Sequence, residues 1–216
     1  MEKIFIKAAY SRPFAISENL KFQLAKIPDK IGLVSTVQFS NFLPIMKKQL
    51  EDLGREVHIS GGGTFLGCNA INAENIFDKV DAFLYVGSGK FHPLQMALKL
   101  KDKKRIFLLH PEAEKISELN WKEVEDFKKK REIINARALS SDELGLLVSI
   151  KPGQCNLSEA LKFKENFEKQ GKKAYLFLFD NFDENQIENW NKLTYVNTAC
   201  PGLALDKKFV NLRDLK

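Results

Sequence analysis

Short runs of consecutive apolar residues alternate along this chain with longer segments in which apolar residues recur every three or four positions. The short runs predict buried strands, and the spaced segments predict amphipathic helices. Strands are predicted at Lys3–Ala8, Ile31–Val34, Glu56–Ser60, Ala82–Val86, Arg105–Leu109, Leu144–Ile150, Ala174–Phe179 and Thr194–Asn197. Helices are predicted at Ser17–Ile27, Phe42–Leu53, from His92 to about Leu100, Trp121–Ala138, Leu157–Gln170 and Glu184–Trp190. The alternation predicts an α/β protein built from parallel βαβ units.

A weak internal symmetry divides this pattern into two similar halves. Gly32–Ser60 and Gly145–Phe179 each contain a strand, a polar loop with a glutamine, a helix, a glycine and a second strand. We therefore predict two homologous, three-layer-like α/β units with parallel sheets, spanning residues 30–139 and 140–216. Residues 1–29 lie outside both predicted units.

Composition and charge narrow the class of protein. The chain has 216 residues, of which 44% are hydrophobic, and this is ample for packed cores. Its formal net charge is +6, and its dense basic run at 128–131 predicts a solvated helix face or a docking patch for an acidic partner. Because the chain has no run of 18 apolar residues and opens with no signal peptide, we expect a cytoplasmic protein. We expect it to bind neither membranes nor nucleic acid.

Three cysteines are the residues most suggestive of chemistry. In a cytosolic chain they favour thiol or metal chemistry over a disulfide framework, although three small buried hydrophobic residues are the plainer alternative. Cys68, within Gly63–Asn69, and Cys200, within Asn197–Pro201, each lie in a loop just after a predicted strand. Such loops build the sites of α/β proteins, and a thiolate placed there can ligate a soft metal centre.

The spacing of the cysteines excludes two common kinds of metal site. The chain has neither the Cys-x2-Cys spacing of zinc sites nor the Cys-x3-Cys-x2-Cys pattern of common radical enzymes. Any cluster must gather single cysteines from separate units, which the spacing alone does not show. Cys155, which follows the predicted strand Leu144–Ile150, is either a site thiol or merely the residue at a helix start.

Three glycine-containing loops follow predicted strands. The run Gly61–Gly63 precedes Cys68, and its amides can approach a bulky ligand or hydrogen-bond to sulfide or thiolate. The loop Gly87–Pro93 opens a helix and offers N–H groups to an anion or carboxylate, with His92 as a ligand, a proton-transfer group or a helix cap. The loop Lys151–Asn156 suits recognition of a polar small molecule.

Five of these segments together resemble the radical subunit of diphthamide synthase, the family of archaeal 2-(3-amino-3-carboxypropyl)histidine synthases. They occur in the family's order and with similar spacing over most of the chain. The matching segments are Ser35–Gln38, Gly63–Asn69, Tyr85–Leu94, Ser149–Gln154 and Asn197–Pro201.

The resemblance implies a specific activity. In this family three homologous α/β domains each give one cysteine to a 4Fe-4S cluster, whose open iron binds S-adenosylmethionine. Reductive cleavage of a C–S bond releases a 3-amino-3-carboxypropyl radical, which adds to a histidine of translation elongation factor 2. Cys68 matches the ligand of the middle domain and Cys200 that of the last domain. No catalytic side chain beyond the cluster is implied.

We expect the residues that bind the cofactor to lie in the matched loops. Three of these loops are expected to orient the methionine end of S-adenosylmethionine: those at Gln38, Gly87–His92 and Lys151–Gln154. Glycine amides would hydrogen-bond to its carboxylate, and a glutamine would be a neutral hydrogen-bond partner. The full expected set is Gln38, Gly63, Gly67, Gly87, Ser88, Gly89, His92, Lys151, Gly153 and Gln154.

The chain departs from the family pattern chiefly in lacking the first domain and its cysteine. Residues 1–29 are then a remnant or linker of that domain, 30–139 is the middle domain and 140–216 the last. Smaller departures are Gly202 where the family usually has arginine, Asp206-Lys207 for an Asp-Asp pair, and His110-Pro111-Glu112 for Asp-Pro-Tyr.

These departures leave four hypotheses. The chain is part of a split enzyme in which a separate polypeptide brings the third cysteine, or it is a non-catalytic partner subunit of a catalytic homologue. In a third, Cys155 is the third ligand of a rearranged, self-sufficient cluster. In a fourth, the two units bind an unrelated nucleotide and the cysteines are merely buried. The first two imply elongation factor 2, a second subunit and an electron donor as partners.

Overall fold

The computed structural model describes residues 9–11, 15–67, 69–100, 103–190, 192–204 and 209–215. The predicted strand Lys3–Ala8 lies outside these ranges. The chain divides into two units, Met1–Val124 and Glu125–Lys216, which are described separately below. This division falls inside a long helix, Trp121–Ser140, and the domain boundary near residue 139 stays a prediction.

The first unit is built on a five-stranded sheet with the order β2-β1-β3-β4-β5, in which only β5 runs antiparallel to its neighbour. Its strands are β1 (Lys30–Ser35), β2 (Glu56–His58), β3 (Ala82–Val86), β4 (Arg105–His110) and β5 (Lys115–Glu118). Its α-helices are α1 (Glu18–Leu24), α2 (Leu43–Asp52), α3 (Ile71–Glu74), α4 (Phe91–Lys99) and the start of α5 (Trp121–Ser140). Short 3-10 helices occur at Val37–Phe42, Gly61–Gly63 and Phe77–Lys79.

Helices cover both faces of this sheet. Strand β3 is buried at every position, as its continuous apolar run predicts for a central parallel strand. Tyr85 packs on the face that α3, α4 and the start of α5 cover, whereas Leu84 packs on the face covered by α1 and α2. The carboxyl ends of β1, β3 and β4 therefore meet at one edge, where loops can build a site.

Local signals in the sequence placed most of these elements correctly. Ser17, where the predicted helix begins, caps α1, because its Oγ accepts a hydrogen bond from the Leu20 amide at 3.3 Å. Gly54 follows α2 with φ of 81°, which suits the predicted helix end. The prediction missed β5, since Ile116 is the only strongly apolar residue in that strand and leaves no apolar run to detect.

The second unit has a four-stranded, fully parallel sheet with the order β7-β6-β8-β9. Its strands are β6 (Glu143–Ser149), β7 (Lys173–Phe179), β8 (Thr194–Asn197) and β9 (Val210–Asn211), and α6 spans Leu157–Glu168. The segment Glu184–Trp190 is helical as predicted but is a 3-10 helix, and further 3-10 turns span Pro201–Ala204 and Leu212–Asp214. Strand β9 was not predicted, because two residues carry no periodic signal.

The predicted class, α/β with mostly parallel sheets, is confirmed. No helix within the described ranges is long and apolar enough to cross a membrane.

We expect Gly63→Ala to destabilise the first unit by about 2 kcal/mol or more, because two penalties combine. Gly63 has φ of 71°, and a Cβ there would lie 2.3 Å from Leu43 Cδ1. Gly62 is the matched control, since it has φ of 75° but its Cβ would meet nothing within 4 Å. Denaturant unfolding should show only about 1 kcal/mol of loss for Gly62→Ala, and equal losses in the two variants would contradict the crowding argument.

Candidate functional site

A cavity of about 460 Å³ opens at the carboxyl edge of the first sheet. It brings together three of the predicted cofactor-binding residues, Gln38, Gly87 and Ser88. Among the described residues it is lined by Ala9, Tyr10, Gln38, Phe39, Gly87, Ser88, His110, Pro111, Glu112 and Ala113. Since Gln38 follows β1, Gly87 follows β3 and Pro111 follows β4, three strand ends build one site.

Aromatic side chains form one wall of this cavity. Tyr10 is anchored by its backbone N–H, which donates to the Gln38 carbonyl at 2.8 Å. The Tyr10 ring lies 5.0 Å from the ring of buried Phe39 and 6.0 Å from that of Phe42, measured between centroids. Tyr10 itself is only half-buried, so part of its ring is available to a ligand. No sequence signal pointed to Tyr10.

His110 and Glu112 add polar groups that sequence reasoning did not assign to the site. His110 Nε2 lies 3.4 Å from Ser117 Oγ on β5. Burial lowers the pKa of His110, and the positive charges of Lys115 and Lys90 lower it further, so the imidazole is neutral at pH 7. Glu112 is exposed at the cavity rim. The signal that could have found both was their position directly after the predicted strand Arg105–Leu109.

A second group of polar atoms near this edge is buried without a hydrogen-bond partner in the part of the chain that the structure describes. The atoms are Ser35 Oγ, Thr36 Oγ1, Tyr85 Oη, His92 Nδ1 and Gln95 Nε2. Burial raises the pKa of Tyr85 and lowers that of His92, so both groups are held neutral. Unpartnered buried polar atoms are costly, and sites that bind ligands commonly contain them.

His92 does not cap α4, since Lys90 occupies the N-cap position. The His92 ring instead lies among aromatic rings, with centroid distances of 5.0 Å to Phe91, 6.3 Å to Tyr85 and 6.5 Å to Phe65. It is not among the residues that line the cavity.

The stability of the first unit is expected to fall below pH 6.5 because of His92 and His110. Both have a pKa below the ordinary 6.5 in the folded state, so the unfolded chain binds protons more readily. Their full contribution is present above pH 6.5 and is lost as the pH falls from 6.5 towards the folded-state values. Thermal melts should give a lower midpoint at pH 5.5 than at pH 7.5, and His92→Phe should reduce that difference. A midpoint that rises on acidification would contradict this prediction.

Cys68 lies outside the described residues, but its loop is described on both sides. Leu66 and Asn69 exchange backbone hydrogen bonds of 3.2 and 2.8 Å, which form a tight turn. Asn72 Nδ2 donates a hydrogen bond to the Thr64 carbonyl at 2.8 Å and so anchors the start of the loop. Gly67 packs against α4, since a Cβ there would lie 2.8 Å from Phe91 Cε1.

The loop that carries Cys200 is held from within by Asn197 at the end of β8. Asn197 is 1% exposed, and its Nδ2 donates to the Cys200 carbonyl at 2.9 Å and to Asn211 Oδ1 at 2.8 Å. Its Oδ1 accepts from the Ala199 amide at 3.0 Å. The Cys200 thiol is free and exposed. The loop is therefore rigid in its backbone while its thiol remains available to a ligand.

Cys155 lies in the neighbouring strand-end loop of the second unit. Its thiol, like that of Cys200, is free and exposed. Asn156 ties the two loops together, because its Nδ2 donates to the Thr198 carbonyl at 2.6 Å. In the same loop the Lys151 ammonium donates to Asn181 Oδ1 at 2.6 Å, Gly153 has φ of 79°, and Gln154 is exposed.

Within the described ranges, no three His, Cys, Asp or Glu side chains converge to form a metal site. The described cysteines, Cys155 and Cys200, are both free thiols. A free, exposed thiol on a fixed loop is the donor that a Cys-ligated iron–sulfur cluster needs. The neutral buried groups of the first unit suit hydrogen bonds to sulfur. The Cys200 loop therefore fits such a cluster, and the described residues alone do not form a complete set of ligands.

Comparison with known proteins identifies one family. A family model described as "Putative diphthamide synthesis protein" matches residues 4–210. The chain is 32% identical over 199 residues to the 2-(3-amino-3-carboxypropyl)histidine synthase of Pyrococcus horikoshii, covering 89% of this chain and 56% of that protein. It is 28% identical over 183 residues to the enzyme of the same name from Methanocaldococcus jannaschii, covering 82% and 46%. The chain thus spans about half the length of the curated relatives it matches.

Solved structures agree with this match. Crystal structures of Dph2 from Pyrococcus horikoshii, one of them with a 4Fe-4S cluster, superpose with a TM-score of 0.76 at 30% identity. The match covers 92% of this chain and 60% of the crystallised chain.

Proposed function

Because the chain belongs to the diphthamide synthesis family, we propose that it takes part in the first step of diphthamide formation. In that step a 3-amino-3-carboxypropyl group passes from S-adenosylmethionine to a histidine of translation elongation factor 2. The observation that carries the proposal is the Cys200 loop, in which a buried asparagine fixes the backbone and leaves a free thiol exposed.

Cys200 and Cys68 are the proposed ligands of a 4Fe-4S cluster. When bound, the cluster would supply an electron and an open iron for S-adenosylmethionine. We propose that a cysteine of a separate polypeptide is the third ligand. Cys155 is not needed in this arrangement.

The remaining predicted residues position the cofactor. Gln38 offers a carboxamide at the rim of the cavity, and the loop of Gly87 and Ser88 offers backbone and hydroxyl groups. Gly87 admits no side chain, since a Cβ there would lie 2.7 Å from Tyr85 Oη. Lys151, Gly153 and Gln154 form the corresponding turn of the second unit, in which the Gln154 amide donates to the Lys151 carbonyl at 3.1 Å.

A second candidate function is that of a non-catalytic partner subunit. It is favoured by Gly202, directly after the Cys200-Pro201 pair, where the resemblance leads one to expect an arginine. A glycine there cannot provide a charge to hold a carboxylate. In this role the chain would support a catalytic homologue, and its own cysteines would be dispensable.

The test is an anaerobic transfer assay with S-adenosylmethionine labelled in its carboxyl carbon, a reductant and elongation factor 2. The chain, the polypeptide that carries the remaining cysteine domain, and the pair are assayed in parallel. Label in elongation factor 2 only with the pair, and its loss with Cys200→Ala, would support the split enzyme. Full transfer by the pair with both Cys68 and Cys200 replaced would favour the partner role, and transfer without this chain would refute both.

A further inference from the structure

The strand β7 of the second unit has an open edge. Within the described residues it pairs only with β6, and its seven residues make it the longest strand at the edge of either sheet. The other edge strands, β2, β5 and β9, have three, four and two residues. We propose that β7 pairs with β7 of a second copy of this chain, which joins two four-stranded sheets into one. The pairing requires neither iron nor S-adenosylmethionine, so it stands apart from the proposed function.

The hydrogen bonds between β6 and β7 show which backbone groups of β7 are already used. The Lys173 amide donates to the Asp142 carbonyl at 2.8 Å, and the Phe179 carbonyl accepts from the Ile150 amide at 2.9 Å. The odd-numbered residues of β7 therefore direct their backbone groups to β6. Because successive residues of a strand direct these groups to opposite sides, the even-numbered residues direct theirs to the open edge.

Three residues of β7 thus offer backbone groups at the open edge: Ala174, Leu176 and Leu178. Lys164 Nζ on α6 donates to the Ala174 carbonyl at 2.6 Å, and a carbonyl oxygen can accept a second hydrogen bond. A row of such groups is a template for another strand.

The side chains along this edge are apolar and partly exposed. Leu178 is 59% exposed and Tyr175 is 40% exposed. Trp190, whose ring centroid lies 6.0 Å from that of Phe177, is 53% exposed. The strand has neither a proline nor a charged residue after Lys173, its first residue, so it lacks two common protections against pairing. These features favour an extended protein segment as the occupant of the edge.

The charges at the two ends of β7 select a second copy of the chain as that segment. Lys172 directly precedes the strand, and Asp180 directly follows it. An antiparallel, two-fold symmetric pairing centred on Leu176 places Lys172 of each copy opposite Asp180 of the other. The same register brings the outward backbone groups of Ala174 opposite those of Leu178, so hydrogen bonds and charges agree.

The two charged side chains can meet without losing their present contacts. Lys172 Nζ donates to the Leu139 carbonyl at 2.8 Å, and an ammonium group has two further N–H donors. Asp180 is exposed and accepts one long hydrogen bond, from Asn181 Nδ2 at 3.5 Å.

The apolar side chains also match in this register. Tyr175 of one copy lies opposite Phe177 of the other, and aromatic cross-strand pairs stabilise a sheet. A shift by two residues would place Asp180 opposite Ala174 in one direction, or Lys172 opposite an apolar residue in the other. The register centred on Leu176 is therefore the one that pairs charge with charge and apolar with apolar residues.

Sedimentation velocity of the purified, iron-free chain over a range of concentrations tests the inference. We expect a dimer whose self-association Asp180→Lys weakens at least about tenfold, because like charges then meet at both ends of the paired strands. Lys172→Glu should weaken it similarly. A mixture of the two variants should associate about as tightly as the unaltered chain, since each new charge then faces an opposite one.

Two further variants separate the interface from general effects of charge. Lys162→Glu alters an exposed lysine of α6, so it is the matched control for Lys172→Glu and should leave the dimer unchanged. Leu178→Lys places a charge in the middle of the apolar edge and should weaken association about tenfold or more. Both Leu178 and Asp180 are exposed, so the unit should fold in these variants.

Several outcomes would overturn the inference. They are a monomer at every concentration, a dimer that Asp180→Lys and Leu178→Lys leave unchanged, or a mixture of the two charge variants that associates no better than either alone. Open-ended association would also contradict it, because a two-fold pairing closes after two chains. A chain that is monomeric alone but binds another polypeptide through β7 would assign the edge to that polypeptide instead. Failure of the transfer assay leaves this measurement unaffected, since it uses neither iron nor S-adenosylmethionine.

Discussion

Replacing Cys200 with alanine is expected to remove most of the iron that the chain holds together with the polypeptide that supplies the third cysteine. In the proposed arrangement three single thiolates hold the 4Fe-4S cluster, so loss of one ligand leaves two and exposes the cluster to solvent. Iron should fall from about four atoms per complex to below about one after anaerobic reconstitution. The measurement is a colorimetric iron and sulfide assay, supported by the visible absorption of the cluster.

Cys155→Ala is the matched control for this measurement. Cys155 is also a free, exposed thiol in a strand-end loop of the same unit, and Asn156 links that loop to the Cys200 loop. We expect this variant to retain its iron. If Cys155→Ala lost the iron and Cys200→Ala kept it, the ligand assignment would be wrong, and the rearranged cluster would become the better hypothesis.

The second large effect is expected from Asn197→Ala, which should destabilise the second unit by about 3 kcal/mol. Asn197 is almost fully buried, and its removal leaves the Cys200 carbonyl, Asn211 Oδ1 and the Ala199 amide without their partner. Buried polar groups that lose a partner are expensive because water cannot replace it. Urea unfolding monitored by circular dichroism measures the loss, and iron content should fall as the loop loosens.

Asn156→Ala is the control for Asn197→Ala. Asn156 also binds this loop, through one hydrogen bond to the Thr198 carbonyl, but it is only half-buried, so water can take its place. We expect a loss of about 1 kcal/mol. Similar losses in the two variants would show that the buried network around Asn197 does not determine the stability of the loop.

Two of the short strands were predictable to the residue because their signal is local. Ala82–Val86 and Thr194–Asn197 were predicted with the bounds that the structure gives them, since each is a run of buried residues between polar loops. Lys115–Glu118 could not be predicted, because it becomes a strand only by pairing with β4. The helix signal at Glu184–Trp190 was correct in position but could not distinguish an α-helix from a 3-10 helix.

The candidate site was predictable to the extent that it follows strand ends. Gln38, Gly87 and Ser88 were selected for that reason, and they do line one cavity. Whether they bind the cofactor remains a prediction, as do the roles of Cys68 and Cys200. Tyr10 reaches the same cavity from a segment far away in the sequence, through a contact with Phe39 that no periodic pattern encodes.

By itself the sequence determined most of the strands and helices, the α/β class and the ordered motifs of the diphthamide synthesis family, because each depends on residues close together in the chain. Only the tertiary structure decided which polar groups share a cavity and what holds the Cys200 loop. His110 faces the cavity after β4 pairs with β5, and Asn197 meets Asn211 when β8 and β9 lie side by side. Such contacts join residues distant in sequence, so they exist only when the sheets have formed.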